Sequence, residues 1–139
     1  MKPGFLLDTN ILAEPLRPAP HPEIMVKIKE FESQLAIPAV VWHEMWFGCR
    51  RLPQSVRRTA IERYLLEVVA PSMPILPYDS AAAEYHAVER ARLERLGKKP
   101  SFADGQIAAI AHANELTLVT LNRADFEGFQ GIAVEDWQA

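Results

Sequence analysis

The chain has 139 residues, the length of one domain, and a domain of this size buries about two thirds of the surface its unfolded chain exposes. With 49% apolar and 24% charged residues, and no apolar run near the roughly 18 residues of a membrane span, the disordered and membrane-spanning classes are excluded. The formal net charge of −3 excludes bulk attraction to nucleic acid, so a phosphate-bearing ligand has to be met by local cations or by metal ions.

Five short apolar runs predict strands: Phe5 to Leu7, Leu35 to Ile37, Met73 to Leu76, Thr117 to Thr120 and Ile132 to Val134. Helical patterns lie between them. They run over Ile11 to Leu16, Glu23 to Ser33 with Ile24, Ile28 and Phe31 on one face, and Ala39 to Arg51. Further along they cover Ser55 to Val69, Ala81 to Leu96, Phe102 to Asn114 and Ala124 to Glu127. Strands alternating with helices predict one α/β domain over residues 1–139, built on a parallel sheet covered on both faces. In such sheets ligands bind beyond the carboxyl ends of the strands. The N-terminal run is cut short by Asp8, Asn10 and Glu14 and has no signal-peptide h-region, and the single cysteine, Cys49, can form neither an internal disulfide nor a Cys-rich zinc site. A cytoplasmic protein is expected, with Cys49 a small buried hydrophobe.

Three carboxylates stand in surroundings that ask for a ligand. Asp8 follows the first strand directly, at its carboxyl end, where it also suits the N-cap of the next helix. Glu44 lies in Val40-Val41-Trp42-His43-Glu44-Met45-Trp46-Phe47, a helix apolar almost all round. A buried Glu there needs a cation, a metal or a shifted pKa, unless it pairs with Arg51 or is exposed on a subunit-contact face. Asp104 stands three residues after Ser101, the spacing of a capping box, at the start of the small-residue helix Gln106-Ile107-Ala108-Ala109-Ile110-Ala111. A fourth polar cluster, Thr120-Leu121-Asn122-Arg123-Ala124-Asp125, follows the strand ending at Val119. Thr120 and Asn122 lie nearest its end, while Asp125 suits a turn or cap. Oxygen donors from three elements suit Mg²⁺ or Mn²⁺, and the chemistry they point to is metal-assisted phosphodiester hydrolysis.

At these residues the chain resembles the PIN-domain ribonucleases, in particular the VapC and FitB toxins of type II toxin–antitoxin systems. The likeness runs through Leu7-Asp8-Thr9-Asn10-Ile11-Leu12, His43-Glu44 with Gly48, Ala103-Asp104-Gly105-Gln106-Ile107-Ala108, Thr120-Leu121-Asn122-Arg123-Ala124-Asp125-Phe126 and the closing Val134-Glu135-Asp136-Trp137. It implies a parallel sheet in the order 3-2-1-4-5 and a metal site of Asp8, Glu44 and Asp104. The fourth position of the acidic quartet falls on Asn122, with Asp125 a turn later as its substitute. It also implies an RNA substrate, a cognate antitoxin and a homodimer. Thr9 and Thr120 are expected to hold waters or supporting contacts, and Lys98, Lys99 and Arg123 to bind the substrate. Arg50, Arg51, Arg57 and Arg58 are further cations, although Arg58 with Glu62 and Arg63 with Glu67 have the spacing of surface ion pairs. His43 has no nucleophile beside it and reads as a packing or surface residue. Trp42 and Trp46 fit either the core or an interface.

Two other functions compete. A haloacid dehalogenase-type phosphatase also begins with a strand ending in Asp, but requires a second Asp two positions later, where this chain has Asn10. A non-catalytic module binding a partner through the Trp42 and Trp46 helix accounts for the missing fourth acid. The surplus of three acids equals Asp8, Glu44 and Asp104, so setting these aside leaves 15 acidic against 15 basic residues.

Overall fold

The computed structural model describes residues 3–138. Its strands are β1 (Phe5–Leu7), β2 (Leu35–Pro38), β3 (Ile75–Leu76), β4 (Thr117–Val119) and β5 (Val134–Glu135), all parallel and in the order β3-β2-β1-β4-β5. Phe5 is in register with Leu35 on one side and Thr117 on the other, and Leu7 with Val119. The centre of the sheet is dry: Leu6, Leu7, Ala36, Ile37, Leu118 and Val119 have no exposed surface. Runs apolar at successive positions are what strands buried on both faces require. Because β1 sits between β2 and β4, the chain direction of winding reverses at its carboxyl end, leaving a crevice beside Asp8.

The connecting helices are α1 (Thr9–Leu12), α2 (Pro22–Glu30), α3 (Ala39–Arg50), α4 (Val56–Arg63), α5 (Ala70–Ser72), α6 (Ser80–Arg95) and α7 (Phe102–Ala113). Side chains cap four of them: Asp8 accepts from the Thr9 N–H, Ser55 from Arg58, Asp79 from Ala82 and Ser101 from Asp104. Helix α6 ends in a Schellman turn, with Gly97 at φ +75°, its N–H on the Glu94 carbonyl and the Lys98 N–H on the Leu93 carbonyl.

Several elements are shorter than the hydrophobic pattern predicts. The helix expected over Ile11 to Leu16 breaks into α1 and a 3-10 turn, Glu14–Leu16, because Pro15 has no amide to continue the ladder. The helix expected over Ser55 to Val69 changes at Tyr64 to a π-helical turn, Tyr64–Val69, and the Tyr64 hydroxyl donates to the Leu12 carbonyl at 2.6 Å. The third strand is reduced to Ile75–Leu76, and the last lies at Val134–Glu135 rather than at Ile132 to Val134. The segment expected as a helix over Ala124 to Glu127 is a single 3-10 turn, Arg123–Phe126. No helix among the described residues is long and apolar enough to cross a membrane.

Candidate active site

Parallel pairing of β1 with β4 brings Asp8 and Thr120 together at the crevice. Asp8 is only 8% exposed. One carboxylate oxygen accepts the Thr9 N–H at 2.8 Å, capping α1, and the other accepts the buried Thr120 hydroxyl at 2.8 Å. Capping and site chemistry are therefore shared between two oxygens of one side chain. Thr120 Oγ1 in turn accepts the Asn122 N–H at 3.0 Å, and Asn10 Oδ1 accepts the Leu121 N–H at 3.3 Å. The β4 exit is thus clasped to the β1 exit from both sides of the crevice.

Burial pushes the Asp8 carboxyl above its ordinary range, against the opposing hydrogen bonds from Thr120 and Thr9, and the negative charge of Asp125 raises it further. Asp104 projects from the first turn of α7, whose Ser101 cap accepts the Asp104 N–H at 3.1 Å. Its carboxyl is also raised, first by burial, and then by the charges of Asp8 and Asp125. The charge of Asp125 thus acts on both Asp8 and Asp104, and that of Asp8 on Asp104.

Asp104 and Asp125 line a cleft of about 620 Å³ together with Lys98, Lys99, Ser101 and Phe129. A second cleft of about 360 Å³ holds Thr9 and Glu44 with Arg17, Arg51 and Arg57. Among the described residues no three Asp, Glu, His or Cys side chains converge closely enough to cage an ion unaided. The donor set nonetheless fits a hard divalent cation: carboxylate oxygens that repel one another around a partly desolvated Asp8 are relieved by positive charge. Mg²⁺ in particular binds through one or two carboxylates, waters and substrate phosphate rather than in an all-protein cage. Asp8, Asp104 and Asp125 would hold it, while Glu44 lies on the other cleft.

Glu44 is not the buried acid its neighbours suggest. Its side chain is 49% exposed and lies 3.6 Å from His43 Nδ1, while the Arg51 guanidinium sits over the Phe47 ring, 5.4 Å from its centroid. A single helix in one chain buries one stripe, here Val41, Met45 and Cys49, and leaves the remaining apolar residues at the surface. Phe47 is accordingly 53% exposed. Trp42 and Trp46 meet edge to face at 5.7 Å, partly buried at the margin of the core.

The other expected site residues are distributed as follows. Thr9 and Thr120 flank Asp8, Lys98 and Lys99 lie on the Asp104 cleft, and Arg123 is exposed at the start of the 3-10 turn. Asn122 reaches the cluster through its backbone N–H. Arg58 pairs with Glu62 at 3.2 Å and Arg63 with Glu67 at 3.4 Å, as their spacing predicts, and Arg50 joins Glu62 as well. Sequence reasoning missed Arg17, which lies outside every quoted motif, and the α6 clamp on the loop after Asp125. In that clamp Glu89, 4% exposed, holds Arg92 through two hydrogen bonds and accepts the Gln130 N–H at 2.7 Å, while Arg92 donates to the Gly128 carbonyl. An acid and an arginine three apart on a helix look like a surface pair, so no local signal marked it.

The PIN-domain family model matches residues 5–130. The chain belongs to the PIN-domain family. This PIN domain is 30% identical over 125 residues to the toxin FitB of Neisseria gonorrhoeae, covering 88% of this chain and 90% of that one. It is 29% identical over 133 residues to the tRNA(fMet)-specific endonuclease VapC of Shigella flexneri, covering 96% and 97%. Among solved structures, DNA-bound VapBC from Salmonella typhimurium matches with a TM-score of 0.83 at 28% identity, over 97% of this chain and 98% of that one. The PIN fold accounts for the strand order.

Proposed function

We propose that this PIN domain is a Mg²⁺-dependent endoribonuclease and the toxin of a type II toxin–antitoxin module, paired with a cognate antitoxin and active as a homodimer. The observation that carries the reading is the buried Asp8, clasped to Thr120 at the switch point of the sheet, with Asp104 and Asp125 together on a cleft that also holds Lys98 and Lys99. A haloacid dehalogenase phosphatase is disfavoured because Asn10, at the position of that chemistry's second acid, is engaged with the Leu121 backbone.

When bound, a divalent ion lowers the pKa of a water and offsets charge gathering on the phosphoryl oxygens. The residues around it have separable duties. Asp8, held by Thr9 and Thr120, presents a fixed carboxylate edge, and Asp104 and Asp125 supply the facing oxygens. Asp125 rather than Asn122 takes the fourth acidic position on this reading, because its charge reaches both other acids. Glu44, accessible and unburied, is free to approach from the second cleft. Lys98 and Lys99 bind phosphates flanking the scissile one, with Arg123 at the rim. The exposed Phe47, next to Trp46, belongs to the face that meets the antitoxin or a second subunit.

The test is cleavage of a single-stranded or looped RNA by the purified chain. Mg²⁺ or Mn²⁺ should support it, EDTA should stop it, and Asp8→Asn and Asp104→Asn should each abolish it. Cleavage by both variants at the parent rate would overturn the assignment. Turnover of a small phosphomonoester instead of RNA would favour the phosphatase.

A further inference from the structure

The Asp104 cleft does not end at the lysines. Lys98, Lys99 and Pro100 form a shared wall between it and a smaller concavity of about 230 Å³, whose other sides are Arg90 and Glu94. Phe102, the first residue of α7 and two positions from Asp104, is 52% exposed and is joined to this concavity through Arg90. The ring packs at a tilt against buried His86 at 4.7 Å, itself hydrogen-bonded to the Tyr78 hydroxyl, and the Arg90 guanidinium lies over it, 5.4 Å from its centroid.

A phenylalanine left half in water at a helix start, braced by a buried imidazole and with the Arg90 guanidinium over its ring, presents an aromatic surface next to the concavity that Arg90 shares with Lys98 and Lys99. Exposed aromatics with flanking cations are the means by which proteins hold unpaired nucleotides, since every base has a π face and every linkage a phosphate. Among the described residues Glu94 is the only acid on the concavity wall, against Arg90, Lys98 and Lys99.

We infer that Phe102, with Arg90, Lys98 and Lys99, forms a nucleotide subsite that stacks one unpaired base of the substrate and holds its phosphate beside the catalytic cleft. This rests on the ribonuclease reading and adds to it a reason for preferring single-stranded RNA: a base has to leave its duplex to lie on the ring.

The experiment is a substitution and truncation cycle. A cleavable RNA oligonucleotide and versions shortened by single nucleotides from either end are assayed with the parent chain, Phe102→Ala and Phe102→Tyr. Binding of the same oligonucleotides is followed by fluorescence anisotropy in EDTA. Phe102→Ala should weaken binding of the full oligonucleotide about tenfold, with Phe102→Tyr restoring it. Loss of the stacked nucleotide should cost the parent about the same factor and cost Phe102→Ala almost nothing. Arg90→Gln should reduce the slope of log affinity against log salt by about 0.7, the amount for one phosphate contact on a single strand. Val88→Ala, exposed on the same helix, is the control that changes none of these. If the penalties for substitution and truncation simply add at every position, ring and base do not meet and the subsite is refuted. Failure of the parent chain to cut any RNA while the binding cycle still couples would refute the ribonuclease reading and leave the subsite standing.

Discussion

The two oxygens of Asp8 are committed to different partners, one to the Thr9 amide and one to the Thr120 hydroxyl, so its rotamer is set before any ligand arrives. Thr120→Val keeps the side-chain shape, removes the hydroxyl and leaves both Asp8 Oδ2 and the Asn122 N–H without that partner. Cleavage should fall by about tenfold to a hundredfold with the fold retained, as measured by initial rates beside a circular-dichroism melt. Asp125 and Asn122 are separated by a second comparison. Asp125→Asn should lower the rate on the order of a hundredfold and Asn122→Ala less than about tenfold; the reverse ranking would return the fourth position to Asn122. In the sequence Asp125 had the look of a turn residue. Only the chain path through the 3-10 turn brings its charge near Asp8 and Asp104, which are 117 and 21 positions away.

Helices α6 and α7 meet so closely that Gly105 has no room for a side chain: a Cβ there would lie 2.1 Å from His86 Nε2. Gly105→Ala should therefore destabilise the protein by about 1 to 3 kcal/mol, and His86→Ala in the same chain should recover part of the loss, a non-additivity readable by urea denaturation. The same helix carries the Glu89 and Arg92 clamp on the loop that follows Asp125. The Arg92 guanidinium and the Gln130 amide hold the Glu89 carboxyl below its ordinary range, and the His21 amide and Arg17 do the same for Glu14. A carboxyl lowered by folding adds stability above its unfolded pKa, near 4.5, and loses it as pH falls through the lower folded value. The melting temperature should accordingly drop on acidification below about pH 4.5, and Glu89→Gln should flatten that drop. An unchanged profile in Glu89→Gln would show that the clamp is not one of its sources.

At the scale of the whole molecule, charge is distributed with a purpose. The net −3 is not spread evenly, since Asp104 and Asp125 line one cleft with Lys98 and Lys99 while Arg17, Arg51 and Arg57 line another with Glu44. Because burial and mutual repulsion raise Asp8 and Asp104, folding with both ionised costs free energy that a bound cation offsets. Mn²⁺ should raise the melting temperature saturably, and by more at about pH 7.5 than at about pH 5, where protons compete for the same oxygens. EDTA should reverse the shift and Asp8→Asn should remove most of it; an equal shift in that variant would place the ion elsewhere.

The alternation of apolar runs with helical stretches was enough to establish a parallel α/β domain, and the ordered motifs were enough to reach the PIN family, its strand order and Asp8 at the crevice. These are local matters of side-chain period and of which residue follows a strand. Pairings between distant segments were not legible. Whether Glu44 is buried depends on how much of α3 the rest of the chain covers, and only one stripe of it is covered. The partnership of Asp125 with Asp8, the joining of Phe102 to Arg90 and the grip of Glu89 on Gln130 each need two elements brought together by the packing of α6 and α7 on the sheet. A sequence records which groups are present and their local spacing; which of them meet across the sheet is decided only when the crossover connections close.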